Sequence, residues 1–132
     1  MVRALLDTSV LSSGAAPGDV EAAISVASIA ELHFGAQTAT DPDERARRTQ
    51  RLAAIEATFD PLPVTAAVAR EWGRLAAAVT GRGGRPRRRA MDLVIAATAN
   101  VNGVALVTEN LGDFELISDL VEVRSPGQIH EV

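Results

Sequence analysis

The chain contains no cysteine, no lysine and no tyrosine, and it has only three phenylalanines and one tryptophan in 132 residues. The absence of cysteine excludes disulfide bonds and thiolate metal sites. Because lysine is absent, the 13 positively charged side chains, histidine apart, are all arginine. No apolar run approaches the ~18 residues that a membrane-spanning helix needs, and no signal-peptide pattern opens the chain. We therefore expect a cytoplasmic protein that does not enter a membrane.

The residues that are present favour a helix-rich core of small side chains. Hydrophobic residues make up 47% of the chain, and 24 residues are alanine. A length of 132 residues suits one domain with one core and is too short for two. We therefore predict a single domain over residues 1–132. The formal net charge is −4, yet nine of the 13 arginines fall in two clusters, at residues 45–51 and 82–89.

Residues 2–10, VRALLDTSV, predict a buried strand that ends on an acid. The run up to Leu6 is almost entirely apolar, as in a parallel strand covered on both faces. Asp7 stops this run, and Thr8 and Ser9 are residues that begin a helix. In an open α/β sheet the carboxyl ends of the strands border the crevice where ligands bind. Asp7 is therefore expected at the edge of a site.

Strands and helices alternate along the rest of the chain. Further strands are predicted at residues 21–26, 59–64, 104–107 and 120–123. Helices are predicted to begin at residues 8, 28, 42, 66 and 91, the second of them with a capping box of Ser28 and Glu31. Residues 14–18 and the glycine-rich, basic residues 81–89 are predicted to be loops. The alternation favours an α/β fold, a three-layer α/β/α sandwich with a small, mainly parallel sheet.

Four acids are predicted to meet at one edge of this sheet. Asp7 and Asp113 follow strands, whereas Glu31 and Asp92 lie in the first turns of helices. Each has a structural explanation by itself, as a helix cap or as a partner of the helix dipole. Together they would repel one another, by roughly 3 kcal/mol for two unit charges ~6 Å apart at an effective dielectric of 20. A cation or a proton placed between them relieves that repulsion.

The ligand chemistry of this edge predicts a metal-dependent nuclease. Carboxylates without His or Cys favour a hard ion, Mg²⁺ or Mn²⁺, which binds substrate phosphate, orients a water and offsets charge in phosphoryl displacement. The arginines just before Asp92 offer a phosphate-binding surface, and the alternative for them is a solvated linker. The candidate RNA-binding residues are Arg82, Arg85, Arg87, Arg88 and Arg89.

Other proteins also carry an acidic pocket at a parallel-sheet edge. Phosphatases of the haloacid-dehalogenase type use an Asp-x-Asp pair and a lysine, but this chain has Ser9 at the second position and no lysine. A receiver-like signalling domain, phosphorylated on an aspartate, also relies on a lysine. A nuclease-like fold that only binds is the third alternative, which the complete set of four acids argues against. DNA cleavage, as in flap nucleases, stays open, although the chain lacks the length that those enzymes use for duplexes.

Four segments of the chain resemble a known family. They are LLDTSV (5–10), SIAELHFG (28–35), RAMDLVIAATA (89–99) and LVTENLGDFE (106–115). In this order they are similar to the four acidic motifs of the PIN-domain nucleases and, more narrowly, to those of the VapC toxins of bacterial toxin–antitoxin pairs. The resemblance covers nearly the whole chain. It implies a Mg²⁺- or Mn²⁺-dependent endoribonuclease that is usually dimeric and is held inactive by a small VapB-type antitoxin.

The resemblance also implies roles for single residues. The acidic quartet of the family corresponds to Asp7, Glu31, Asp92 and Asp113. We expect Asp7 and Asp92 to ligate the ion directly and Asp113 to ligate it directly or through water, whereas Glu31 would orient the attacking water or hold a second ion. The supporting polar positions of the family correspond to Ser9, Thr108 and Asn110. This chain departs from many relatives at Met91, where they carry asparagine, and at Glu109, where they carry a basic residue.

Overall fold

Four parallel strands form the centre of the protein, whose structure is a computed structural model that describes residues 2–14 and 20–131. In chain order the strands are β1 (Val2–Leu6), β2 (Val20–Ala23), β3 (Ala105–Val107) and β4 (Val123–Arg124). Their order across the sheet is β2-β1-β3-β4, and each neighbouring pair is parallel. The prediction of a small parallel sheet is therefore confirmed.

Within the described ranges five α-helices connect these strands. They are α1 (Thr8–Ser13), α2 (Val26–Thr38), α3 (Pro42–Thr58), α4 (Ala66–Gly81) and α5 (Ala90–Val101). Shorter 3₁₀ segments lie at Pro86–Arg89, Leu111–Ile117 and Pro126–Glu131. Capping side chains fix where helices begin: Asp41 accepts the N–H of Glu44, and Thr65 accepts the N–H of Val68. No helix in this part of the chain is long and apolar enough to cross a bilayer.

Each face of the sheet packs against its own set of helices. Leu5 and Leu106 point to the face covered by α4 and α5, where they share one apolar cluster with side chains such as Ile95. Their neighbours in sequence, such as Leu6, point to the other face and join side chains of α1 and α3, such as Ile55. Successive residues of a strand point to opposite faces. The predicted three-layer α/β/α arrangement is therefore confirmed.

The sheet topology places the end of β1 beside the end of β3. The chain leaves β1 towards β2 on one side, whereas β3 pairs with the opposite side of β1. The N–H of Asp7 donates to the carbonyl of Val107 at 2.8 Å, and the N–H of Thr108 donates to that of Arg124 at 2.9 Å. Ligands bind at such a reversal of strand order, at the carboxyl ends of the strands. Asp7 and Thr108 therefore lie at the position where this fold class forms sites.

Two predicted boundaries before α4 are wrong. β2 ends at Ala23, and Ser25 rather than Ser28 caps α2, because the Ser25 hydroxyl accepts the N–H of Ala27 at 3.0 Å. Glu31 therefore lies in the second turn of α2 and is not a capping-box partner. Residues 59–64 do not form a strand, and only Leu62 joins the sheet edge, through a single bridge to Ser25. The flanking prolines have no N–H to extend the pairing.

Two further differences concern the C-terminal half. β4 begins at Val123 rather than at residue 120, because the N–H groups of Leu120 and Val121 bond the carbonyl of Ile117 and keep the chain in a turn. Residues 81–89 are not entirely a loop, since Pro86–Arg89 forms a 3₁₀ turn that leads directly into α5. Of the predicted loop at residues 14–18, residues 15–18 lie outside the described residues.

Candidate active site

Asp7 is buried and held by two hydroxyl groups. Its Oδ2 atom accepts hydrogen bonds from Ser9 at 2.8 Å and from Thr108 at 2.9 Å. Each hydroxyl in turn accepts a backbone N–H, that of Glu109 at Ser9 and that of Asn110 at Thr108, both at 3.0 Å. A buried carboxylate requires such partners. The loop after β3 therefore fixes the orientation of the acid that ends β1.

Glu31 is held by Thr8, a residue that the sequence predicts only as the start of a helix. The Thr8 hydroxyl donates to Oε1 of Glu31 at 2.6 Å, and it lies 2.9 Å from the hydroxyl oxygen of buried Ser28. Thr8 follows Asp7 directly, so the same turn carries one acid and holds another. That adjacency in the first acidic motif was the available sequence signal. These contacts join the start of α1 to α2 at the edge of the sheet.

The third and fourth acids share an arginine. The Arg89 guanidinium lies 2.9 Å from Oδ1 of Asp113 and 3.5 Å from Oδ2 of Asp92. Asp92 lies in the first turn of α5 and Asp113 in the 3₁₀ segment Leu111–Ile117, so the bridge links the two elements. Arg89 was predicted to bind RNA, but the structure places it among the acids. Its position three residues before Asp92 allows this reach along a helix.

The pKa of Asp92 is raised by its surroundings, which include the charges of the other three carboxylates. Burial, as the largest cause, and the negative charges of Asp7, Glu31 and Asp113 together raise it from 3.8 to about 6, while Arg89 acts in the opposite direction. Like charges disfavour the ionised form because each added negative charge repels the next. The negative charges of the other three acids therefore act on Asp92, at the sheet edge where the sequence predicts that the four acids meet. Strong perturbation of this kind is typical of functional sites.

The donor set fits a hard cation in its chemistry, although not in its present placement. Across the described residues, no three Asp, Glu or His side chains stand close enough together to hold a metal ion as they are placed. Arg89 supplies the compensating positive charge instead. Carboxylate oxygens are the ligands that Mg²⁺ and Mn²⁺ prefer. The mutual repulsion of the acids is the property that a bound cation relieves.

The basic residues 82–89, here called the Arg segment, divide into distinct roles. Arg82 is bound to Asp119 at 2.7 Å and to the carbonyl of Leu116. Arg85 and Arg88 line a cavity of about 280 Å³ whose rim includes Asp92 and Asp113 and whose walls include Phe114 and Ile117. Arg87 is exposed. Within the described part of the chain, the side chains of Arg85, Arg87 and Arg88 have no ion-pair partner.

The other residues singled out from the sequence are more peripheral. Asn110 is exposed and contributes its backbone N–H, rather than its side chain, to the contacts described above. Met91 is half-buried beside the acids. Glu109 is exposed and accepts a hydrogen bond from Ser13 at 3.3 Å. The departure at Glu109 therefore places a negative charge at the solvent edge of the site.

Comparison with known proteins decides the family. The sequence model of the PIN domain family matches residues 4–119. The chain belongs to the PIN-domain family. All four carboxylates and the Arg segment of this PIN domain lie inside the matched region. The resemblance of the four acidic segments is therefore confirmed at the level of the family.

Named relatives of this PIN domain come from Mycobacterium tuberculosis. It is 40% identical to Ribonuclease VapC8 over 102 residues, which cover 74% of this chain and 90% of the relative. It is 33% identical to Ribonuclease VapC4 over 125 residues, which cover 89% of this chain and 93% of the relative. Among solved structures, it resembles the toxin–antitoxin complex VapBC-5 with a TM-score of 0.78, 32% identity and coverage of 95% of this chain and 98% of that chain.

Proposed function

We propose that this PIN domain is a divalent-metal-dependent endoribonuclease that acts as the toxin of a VapBC-type pair. The observation that carries the proposal is that three further carboxylates act on buried Asp92, whose pKa rises because of burial and because of these three charges. The names of the relatives, Ribonuclease VapC8 and Ribonuclease VapC4, support RNA as the substrate. The VapBC-5 complex supports assignment to a toxin–antitoxin system.

Asp7, Asp92 and Asp113 are the residues that would hold Mg²⁺ or Mn²⁺. When bound, such an ion orients a water and offsets the charge that develops on the phosphate. In the described part of the chain both hydroxyl donors to Asp7 use Oδ2, so Oδ1 is left for an ion. Ligation through Asp92 and Asp113 requires the Arg89 guanidinium to move away from them. Arg89 would then be available to a phosphate oxygen.

Glu31 would position the water that attacks the phosphodiester. The Thr8 hydroxyl, at 2.6 Å from Oε1, fixes the carboxylate, and the other oxygen is then available to accept a hydrogen from water. The attacking oxygen forms a bond to phosphorus while the bond to the departing ribose oxygen breaks. In-line geometry of this kind depends on a fixed acceptor. Thr8 is therefore a positioning residue in this proposal.

The Arg segment would hold the RNA backbone next to the cleaved bond. Arg85 and Arg88 lie at the cavity that the acids border, and neither is bound to a carboxylate in the described structure. Guanidinium groups suit bidentate contacts to phosphate. Of the five arginines predicted from the sequence, we assign these two to phosphate binding. Arg82, which is bound to Asp119, would keep the segment in place.

A cleavage assay tests the function directly. Purified protein is incubated with single-stranded RNA in the presence of Mg²⁺, of Mn²⁺ and of a chelator. We expect cleavage with either ion, none with the chelator, and none for Asp92→Asn. The exposed acid Asp60 provides the matched control, since Asp60→Asn removes the same charge away from the site. Equal cleavage by wild type and Asp92→Asn would refute the assigned site, and no cleavage under any condition would refute the function.

The toxin role has its own test in cells. A small VapB-type antitoxin, a homodimeric state and a cytoplasmic location complete the proposal. Expression of the chain alone should arrest growth, whereas expression together with a small neighbouring gene should restore it and yield a complex of the two proteins. The Asp92→Asn variant should be tolerated alone. Normal growth with strongly expressed, active wild-type protein would contradict the toxin role while leaving the nuclease activity intact.

A further inference from the structure

An aromatic side chain is exposed beside the acids. Phe34 follows Glu31 by about one turn of α2 and is 71% exposed, the highest value among the large apolar side chains of the described residues. The chain has only three phenylalanines and one tryptophan. Phe114 is buried, and Trp72 packs against the core with its Nε1 donating to the carbonyl of Ala90. The exposure of Phe34 is therefore not explained by an abundance of aromatic residues in the chain.

Phe34 borders a shallow hollow of about 320 Å³ that starts at the acid cluster. The hollow is lined by Ala30, Glu31, Phe34 and Met91. Met91 directly precedes Asp92, and Glu31 is the acid held by Thr8, so one end of the hollow coincides with the site. Ala30 adds little bulk. The surface is thus an aromatic ring and a thioether with one carboxylate at the edge.

The chemistry of this hollow differs from that of the cavity at the Arg segment. No arginine lines it among the described residues, so it offers nothing to a phosphate, whereas Arg85 and Arg88 line the cavity bordered by Asp92 and Asp113. An unpaired nucleobase fits the hollow, because bases stack on aromatic side chains. Sulfur also contacts aromatic rings favourably.

We infer that Phe34 and Met91 form a stacking platform for an unpaired base of single-stranded RNA, next to the phosphate that the acids receive. The inference rests on the proposed function and specifies its substrate: the strand must be unpaired beside the cut. The RNA then runs from the platform, across the acids, to Arg85 and Arg88. A second copy of the chain would cover about 800 Å² of surface per partner, of which a hollow of four residues supplies only a part.

Binding measurements test the platform without cleavage. All proteins carry Asp7→Asn, and the probe is a short single-stranded RNA of mixed sequence. Phe34→Ala should bind about five- to a hundredfold more weakly, from the usual loss of one base–aromatic stack. Phe34→Trp should restore the affinity, whereas Phe34→Leu, which keeps apolar area without an aromatic face, should not. Val64→Ala, at an apolar side chain that is also exposed, is the control and should bind as the parent does.

The tryptophan variant also reports the contact itself. Emission from Phe34→Trp should be quenched by the single strand and not by a duplex of the same sequence, relative to the parent, which contains only Trp72. In the active protein, Phe34→Ala should raise KM and change kcat much less, because a stack made equally in the ground and transition states contributes only to binding.

The outcomes separate this inference from the function on which it rests. Metal-dependent cleavage by wild type, with unchanged KM in Phe34→Ala, would refute the platform but not the proposed nuclease activity. Absence of cleavage by wild type under every condition would refute the function, whatever the binding data show. Conversion of a dimer to a monomer by Phe34→Ala, or loss of antitoxin binding with unchanged RNA affinity, would assign Phe34 to a protein interface and refute the platform.

Discussion

Asp92 is the residue on which the charges of the site act most strongly. Its raised pKa, about 6, means that the folded protein keeps this proton up to about pH 6, whereas the unfolded chain releases it near 3.8. Between these values the folded state binds more protons than the unfolded state, so the free energy of unfolding falls as the pH rises through this window. Without metal, the titration of Asp92 therefore makes the free energy of unfolding larger in mild acid than at neutral pH.

Replacement of Asp92 should remove this pH dependence. We expect metal-free Asp92→Asn to exceed wild type in free energy of unfolding by up to about 3 kcal/mol above pH 6, and to approach it near pH 4. Denaturant unfolding at a series of pH values measures the difference, and Asp60→Asn serves as the control. A constant difference between the variants across this range would show that Asp92 does not titrate with a raised pKa.

Thr108 is the residue through which β3 holds Asp7. Its buried hydroxyl donates to Asp7 and accepts from the N–H of Asn110. Thr108→Val keeps the shape and deprives both groups of a partner, so it should lower the free energy of unfolding by about 1–3 kcal/mol and reduce cleavage. Thr108→Ser keeps the hydroxyl and should cost about 1 kcal/mol or less. Urea unfolding compares them; a loss in Thr108→Ser as large as that in Thr108→Val would show that the methyl group contributes as much as the hydroxyl.

At the scale of elements, Gly84 sets how closely the Arg segment approaches α4. A Cβ atom at Gly84 would lie 2.7 Å from Cγ1 of Val79, 3.2 Å from the Val79 carbonyl oxygen and 2.6 Å from Cδ1 of Leu116. The leucine tip can turn away, but the stiff, buried valine and its backbone cannot do so easily. The segment therefore requires glycine here for its close approach, although the backbone conformation of Gly84 is an ordinary one.

Gly84→Ala should displace the Arg segment. We expect a loss of about 1–3 kcal/mol in the free energy of unfolding, as for other overpacked positions, and weaker RNA binding. Gly81→Ala is the matched control, because nothing lies within 4 Å of its added Cβ and alanine is the better residue at the end of α4. Unfolding and RNA affinity are measured for both variants. Unchanged RNA affinity in a Gly84→Ala variant that is clearly destabilised would show that the Arg segment does not take part in RNA binding.

The whole molecule is net acidic, so long-range attraction of RNA is weak and local contacts must supply the affinity. The formal charge is −4, yet Arg85 and Arg88 stand together beside the site. Each phosphate contact on a single strand contributes about 0.7 to the slope of log affinity against log salt. In an Asp7→Asn background, Arg85→Gln with Arg88→Gln should therefore lower that slope by about 1.4.

The control for this experiment removes the same charge elsewhere. Arg47 and Arg70 are exposed on α3 and α4, and their replacement by glutamine changes the net charge equally. This control should shift affinity slightly and leave the slope near that of the parent. RNA titrations at several salt concentrations give all the slopes. Equal slopes for the two double variants would show that net charge, rather than the Arg segment, sets the salt dependence.

The sequence by itself determined the three layers and the two central strands of the sheet. The apolar runs before Asp7 and Thr108 could form only buried strands, and side chains that follow parallel strands must share one edge. The second helix was placed less well, because both Ser25 and Ser28 are residues that cap helices. In the fold, Leu62 pairs with Ser25, which is extended, and the helix starts directly after Ser25. Sequence patterns do not contain such long-range backbone pairings.

Only the tertiary structure decided how the charged side chains divide their roles. Sequence reasoning assigned Arg82, Arg85, Arg87, Arg88 and Arg89 to one RNA-binding surface. In the fold, Arg82 binds Asp119 and Arg89 binds Asp113, acids that lie far along the chain. The holding of Glu31 by Thr8 and the exposure of Phe34 beside it were likewise not visible in the sequence. The physical reason is that a side-chain contact depends on distance in space, whereas periodicity reports only which face of its own element a residue occupies.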